Sequence, residues 1–332
     1  MKAIVYTKFG SPDVLQLQEV EKPVPKDDEI LIKVKAASAN AYDWRHLRAD
    51  PFLIRFMGAG LLRPKHKILG ADIAGRVEAV GRQVKQFQPG DEVFGDGGYG
   101  GFAEFACVAE NRFVLKPDHL TFEEAAAAPM AALTALQGLR DKGKIQAGQK
   151  VLINGASGGV GSFAVQIAKS FGAEVTGVCR TTKMDFVRSL GADQVIDYTQ
   201  EDVTKNKKHY DLIFDIAAYR SISENKRILS SGGIYVVAGG SMARIFKVML
   251  RSMTGVKNMK IIVGQANQKD LIFIGTLMTT GQVKSRIDKC FPLNETAEAI
   301  RYLEDGHASG KVVITVEGNK QERTPNKDKQ KK

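Results

Sequence analysis

The residues best suited to chemistry begin at a glycine-rich turn. Val151, Leu152 and Ile153 form an apolar run that reads as a buried strand. Val160, Phe163, Ala164, Ile167 and Ala168 then repeat with helical spacing. Between the two lie Ala156, Ser157, Gly158, Gly159, Val160 and Gly161. This is G-x-G-x-x-G spacing with Ala156 in the first glycine's place. Between a strand and a helix, such a turn grips the pyrophosphate of a dinucleotide. Gly158 lets backbone N–H groups approach the anion, Gly161 lets the helix pack close to its strand, and the helix N-terminus attracts negative charge. A second group closes the next strand: Cys179, Arg180, Thr181 and Lys183. Enzymes that choose NAD often place a carboxylate there for the ribose 2′-hydroxyl. Two cations and a hydroxyl instead suit the 2′-phosphate of NADPH. Ala238, Gly239 and Gly240 follow another apolar strand and are small enough for a nicotinamide or ribose to approach.

The elements around these residues alternate. Strands at 150–154, 174–179, 194–197, 211–216, 233–238 and 259–263 are separated by helices at 159–171, 182–190 and 221–229. Gly172 and Gly191 stand where helix C-caps belong. Regular βα alternation implies a parallel sheet covered by helices on both faces, an α/β Rossmann domain. Before it, Thr121 and Glu124 fit a capping box that opens an alanine-rich helix. Residues 1–120 read differently, as short strands punctuated by Gly and Pro, which suggests a partly open β-barrel. After 267 come a helix to 280, a strand at 287–291, a helix capped by Asn294 and a last strand from 311 to 316.

Composition narrows the class. With 332 residues, 43% hydrophobic and 26% charged, the chain has room for two cores. No apolar stretch reaches the roughly 18 residues of a membrane span. The start lacks the apolar block of a signal peptide, so a cytoplasmic protein is expected. Cys107, Cys179 and Cys290 have no metal-ligand spacing and read as buried free thiols. The net charge of +11 is concentrated in part at residues 319–332, where six Lys/Arg face two acids. That polar tail reads as disordered. No basic-aromatic interleaving supports nucleic-acid binding.

The run Gly148-Gln149, Leu152, Ala156-Ser157-Gly158-Gly159, Gly161, Gln166 and Lys169 resembles the quinone oxidoreductase/zeta-crystallin group, the zinc-free branch of the medium-chain dehydrogenase/reductases. The resemblance implies a GroES-like catalytic domain made of residues 1–122 and 267–318, interrupted by a Rossmann NADP-binding domain at 123–266. It also implies that Thr134 lies near the nicotinamide, that Tyr198 stacks at the adenosine end, and that Asn40-Ala-Tyr-Asp43 lines the active site. Asn40 would donate a bond to the nicotinamide amide or the acceptor carbonyl, and Asp43 would organise the segment. Zinc alcohol dehydrogenases carry Cys and Gly-His-Glu in this region. Here the corresponding positions are Asn40 and Gly70-Ala71-Asp72, and the four-cysteine loop is missing. His46 and His66, without partners at metal spacing, are expected to be exposed, and no tetrahedral zinc site can be assembled.

Without a Lewis acid to stabilise an alkoxide, the easier chemistry is hydride delivery to an electron-poor acceptor. A quinone or an α,β-unsaturated carbonyl fits, with Tyr42 or Tyr99 as proton donor. Group members pair their Rossmann sheets edge to edge, which would make a homodimer through the strand at 259–263. Two other readings stay open: an NAD(P)-dependent alcohol or aldehyde dehydrogenase, and a non-enzymatic NADPH- or RNA-binding protein.

Overall fold

The computed structural model describes residues 1–56, 58–205, 208–239 and 258–316. Gly240 and the basic tail at 319–332 lie outside the described residues. The first strands are β1 (Lys2–Val5), β2 (Gln16–Glu19) and β3 (Glu29–Ala39), followed by helix α1 (Ala41–Arg48). Then come β4 (Asp72–Val80), β5 (Glu92–Asp96), β6 (Phe105–Ala109) and β7 (Phe113–Leu115). The alternating apolar residues of β3 and its neighbours face inward, and Ile30, Ile32, Val34, Ile73, Val77, Val93 and Phe113 form one buried cluster. β3 is long enough to serve several partners. It pairs antiparallel with β4 along most of its length and with β6 over its first half.

Two alanine-rich helices follow, α2 (Phe122–Ala126) and α3 (Pro129–Leu136). α2 starts at the expected capping box: the Thr121 hydroxyl accepts the Glu124 N–H at 3.1 Å, and the Glu124 carboxylate accepts the Thr121 N–H at 3.0 Å. Ala125 to Ala128 are fully buried. Their small side chains let this segment press against Ala36, Ala74 and Phe94 on one side and Val151 and Phe214 on the other, in one continuous core.

The second sheet is built from β8 (Lys150–Asn154), β9 (Glu174–Cys179), β10 (Gln194–Asp197), β11 (Tyr210–Asp215), β12 (Leu229–Val237) and β13 (Met259–Ile261). Helices α4 (Gly159–Ser170), α5 (Met184–Ser189) and α6 (Ile222–Arg227) separate the earlier strands. All pairings are parallel, in the order β10-β9-β8-β11-β12-β13. That is the doubly wound order, whose direction reverses between β8 and β11. Ligands of such sheets bind outside the strands' carboxyl ends at this point.

The chain closes with α7 (Gln268–Thr279), β14 (Ile287–Pro292), α8 (Thr296–Glu304) and β15 (Lys311–Thr315). β15 returns to the first sheet, pairing Val312 with Ala39 and Val313 with Ser38. The start of α8 departs from expectation. Asn294 lies in a 3-10 turn, and the Thr296 hydroxyl donates to the Leu293 carbonyl at 2.7 Å. The cysteines also differ: Cys179 is buried, Cys107 half-buried and Cys290 exposed. Cys290 lies in β14, the outermost strand of its sheet, where Asp288, Lys289 and Cys290 are all exposed.

Candidate active site

On the barrel side, α1 begins where β3 ends, and its first turn is fixed by buried carboxylates. Asp43 is fully buried and accepts two backbone N–H bonds, from Asn40 at 2.8 Å and Gly70 at 2.9 Å. Burial pushes its carboxyl up to about 7, with the nearby Asp72 charge adding to the rise and the two N–H bonds opposing it. Asp72, also fully buried, accepts from the Ser38 hydroxyl at 2.9 Å, the Asn40 Nδ2 at 2.9 Å and the Met130 N–H at 2.9 Å. It thus ties β3 and β4 to the first turn of α3, the helix that carries Thr134.

Lys311, at the start of β15, completes this cluster. Its ammonium donates to the Asn40 Oδ1 and lies 3.6 Å from the Asp72 Oδ2. Only 2% of the residue is exposed, and burial holds its pKa below the usual lysine range. The Asn40 amide is fully engaged: Nδ2 donates to Asp72 and to the Ser38 carbonyl, and Oδ1 accepts from Lys311. Both hydrogens that were to bond nicotinamide or acceptor are therefore used inside the protein. Asn40 thus ties β3, β4 and β15 together, and Asp43 ties the first turn of α1 to Gly70.

Above this cluster stands an aromatic group. Tyr99 stacks on His66 with ring centroids 3.9 Å apart and an interplanar angle of 10°. Tyr42 lies 5.6 Å from Tyr99 and 3.8 Å from His46. Burial raises both phenols above the usual tyrosine range. His46 places Nδ1 2.8 Å from the Tyr42 carbonyl, so Nδ1 carries the proton and Nε2 is the acceptor. The two histidines are half-buried members of this group, not exposed side chains. Burial lowers both pKa values, which keeps the rings neutral near pH 7.

The glycine turn faces this cluster. Gly155, with φ +86°, makes the reversal just ahead of the expected motif, which is why Ala156 can stand in the first motif position. A Cβ on Gly161 would come 2.1 Å from the Gly155 carbonyl oxygen, so the close packing of α4 requires glycine there. A Cβ on Gly158 would meet nothing nearer than 3.6 Å, leaving its face open for an anion. Gly159 and Val160 form the first turn of α4, and the Ser157 carbonyl accepts the Gly310 N–H at 2.9 Å. A Cβ on Gly159 would touch the Lys311 Cδ at 3.1 Å. The Lys311 stem therefore lies against the turn while its ammonium reaches Asn40. Thr134 donates its hydroxyl to the Met130 carbonyl, and the backbone at Gly264 crosses close above it. Gly239 is tied to packing, because a Cβ there would lie 2.4 Å from the Ile216 carbonyl; Ala238 borders the same strand end.

The strand end after Cys179 is less cationic than its sequence implies. Arg180 is exposed and its Nε donates to the Tyr198 hydroxyl at 3.4 Å. Tyr198 and Tyr219 form an exposed aromatic pair with centroids 5.5 Å apart. Lys183, the second cation expected to suit the phosphate, donates to the carbonyls of His307 at 2.8 Å and Ala308 at 2.7 Å. The Thr181 hydroxyl bonds to Asp197, which arrives from the end of β10. A carboxylate does lie at this end after all, and Arg180 is the cation left to face a phosphate.

Comparison with known proteins agrees with this architecture. Residues 26–118 match the family described as alcohol dehydrogenase GroES-like domain, and 190–314 match zinc-binding dehydrogenase. The chain is 36% identical to the 2-methylene-furan-3-one reductase of Solanum lycopersicum, over 95% of this chain and 79% of that one. It is 34% identical to the chloroplastic NADPH-dependent alkenal/one oxidoreductase of Arabidopsis thaliana, with the same coverage. The solved quinone oxidoreductase of Coxiella burnetii superposes with a TM-score of 0.87 at 30% identity, covering 96% of this chain and 99% of that one. The chain belongs to the quinone oxidoreductase group of the medium-chain dehydrogenase/reductases.

One matched family is described by zinc, and the residues here do not fit that metal. Asn40 and Asp72 are bonded to each other and to Lys311, and no group of three or more His, Cys, Asp or Glu among the described residues could hold an ion. The dinucleotide of this group does fit: the open face of Gly158 and the unpartnered, buried Asn154 Oδ1 at the end of β8 both lie beside the turn. Sequence reading missed Lys311 and Asp197. Lys311 is 271 residues from Asn40 in the chain, and a lysine opening an apolar strand gives no local sign of burial.

Proposed function

We propose that this oxidoreductase uses NADPH to reduce quinones or α,β-unsaturated carbonyls. The observation that carries the reading is the Asn40–Asp72–Lys311 cluster, closed by hydrogen bonds and set against a dinucleotide turn. When bound, the nucleotide supplies a hydride. Backbone N–H groups at Ser157, Gly159, Val160 and Gly161 would hold its pyrophosphate, Arg180 would face the 2′-phosphate, and Tyr198 would border the adenosine. Thr134 and Ala238 would border the nicotinamide end. The Tyr99 O–H, held protonated by burial, supplies the proton that balances the hydride. The names of the reductases and quinone oxidoreductase described above support this class of acceptor. Following NADPH oxidation across a panel of quinones, enones and simple alcohols tests it. Turnover of a quinone or enone is expected, and comparable efficiency with an unactivated primary alcohol would overturn the reading.

We further infer a homodimer through β13, the last strand of the parallel sheet among the described residues. An edge strand there would offer the backbone groups needed to continue the sheet. Light scattering should give twice the chain mass; a monomer at all concentrations would refute this.

A further inference from the structure

Lys311 is a charged side chain that sequence reading left unassigned. Its ammonium lies beside two buried carboxylates: Asp72 is 3.6 Å away, and Asp43 is close enough to act on it by charge. A third, Asp96 on β5, is the register partner of Asp72. Asp96 has its own guanidinium, Arg112, at 3.2 Å. Lys311 is the cation that offsets Asp72 and Asp43; without it the site would lose its positive charge beside the buried Asp72. Such a site opposes any acceptor that gains negative charge on oxygen as hydride arrives. The stem of Lys311 also lies against Gly159, so one side chain meets both the pyrophosphate turn and the barrel cluster.

We propose that Lys311 is the internal cation of this site, a positioning residue whose charge lies between Asn40 and Asp72 and favours oxyanion formation on the acceptor. With its side chain only 3% exposed, it acts by its field and through Asn40 rather than by contact. In a water-poor interior that field is screened far less than at the surface. Asn40 and Asp72 stand where the zinc-type pattern has ligands, so a lysine charge here takes the place a metal charge would hold. The inference rests on the hydride-transfer reading above, and its test reads out separately.

The probe is 4-nitrophenol, whose ionisation is visible by absorption. Wild-type protein should bind it as phenolate, with its bound pKa lowered by about one unit, a tenfold preference for the anion. Removing the charge alone strands Asp72 and could unfold the protein, so Lys311→Met is paired with Lys311→Met/Asp72→Asn, which removes both charges. The double variant should fold and bind NADPH, yet bind nitrophenol in its neutral form. Its kcat should fall about thirtyfold or more, with the KM for NADPH changed much less. Lys311→Arg, which keeps the charge, should retain part of the preference. The proposal is overturned by a wild-type protein that does not favour the phenolate, or by a double variant that favours it equally. It is also overturned by a double variant with wild-type kcat, since a merely structural partner of Asp72 is dispensable once Asp72 is neutral. Phenolate binding without turnover of any acceptor would sink the reduction reading alone.

Discussion

Replacing Arg180 by alanine should weaken use of NADPH and leave NADH nearly untouched. A hydrogen bond to a charged group contributes roughly 1.5–3 kcal/mol, which is about tenfold to a hundredfold in affinity. Asp197, bonded to Thr181 beside it, repels a phosphate and puts the expectation near tenfold. Lys183→Ala should instead reduce stability without changing nucleotide choice, because its ammonium caps the 307–308 carbonyls. Steady-state kinetics with both nucleotides check the pair; equal losses of NADPH and NADH use in Arg180→Ala would remove it as selector. Asp43 gives a pH test at the same scale. Its folded pKa of about 7 lies above the model-compound value of 3.8, so the folded state binds the extra proton. Its ionisation therefore costs stability above pH 7, and that cost disappears as pH falls from 7 toward 4. In urea unfolding, wild type should become more stable relative to Asp43→Asn as pH falls from 7 toward 4, and a pH-independent difference would contradict the assignment. Asn40 and Asp43 were singled out in sequence by the segment Asn40-Ala-Tyr-Asp43, which resembles the family's active-site segment. Their bonding was not legible there, since it depends on side chains from β4 and β15.

At the scale of elements, the strand–turn–helix at β8 and α4 makes a sharp comparison. Gly161→Ala forces a methyl to within 2.1 Å of a backbone carbonyl, so α4 must move off its strand. Overpacking of that kind costs about 1–3 kcal/mol, and nucleotide binding should fall with it. Gly158→Ala has room in the fold, with 3.6 Å to its nearest neighbour, but its methyl enters the face left for the anion. It should keep its thermal stability and still lose at least tenfold in NADPH affinity; calorimetry with thermal melts separates the two outcomes. A Gly158→Ala protein that binds normally would show that the anion sits elsewhere. This turn, the capping box at Thr121 and the parallel strands were legible because each is a local pattern of backbone needs. The start of α8 was not, because a 3-10 turn over Leu293–Glu295 takes up Asn294 and leaves Glu295 at the cap position, which propensities do not reveal.

Across the whole molecule, two sheets share one function because the chain returns. β15 pairs with β3 after the parallel sheet is complete, and its first residue carries Lys311 to Asn40. Periodicity could show the two textures of the chain; only the pairing of distant strands shows how they meet. No helix among the described residues is long and apolar enough to cross a membrane. No zinc donor set lies among the described residues, which leads to a further expectation: exhaustive chelation should leave turnover unchanged, and activity lost to chelator and restored by zinc would refute the metal-independent account. The most direct measurement follows the hydride itself. Chelator-treated protein is supplied with NADPH carrying deuterium at the transferable nicotinamide position, together with an enone, and the product is read by NMR. The account predicts deuterium at the β-carbon and a solvent-derived proton at the α-carbon. Reduction without label at the β-carbon, or no reduction of quinone or enone by a folded, NADPH-binding protein, would contradict it.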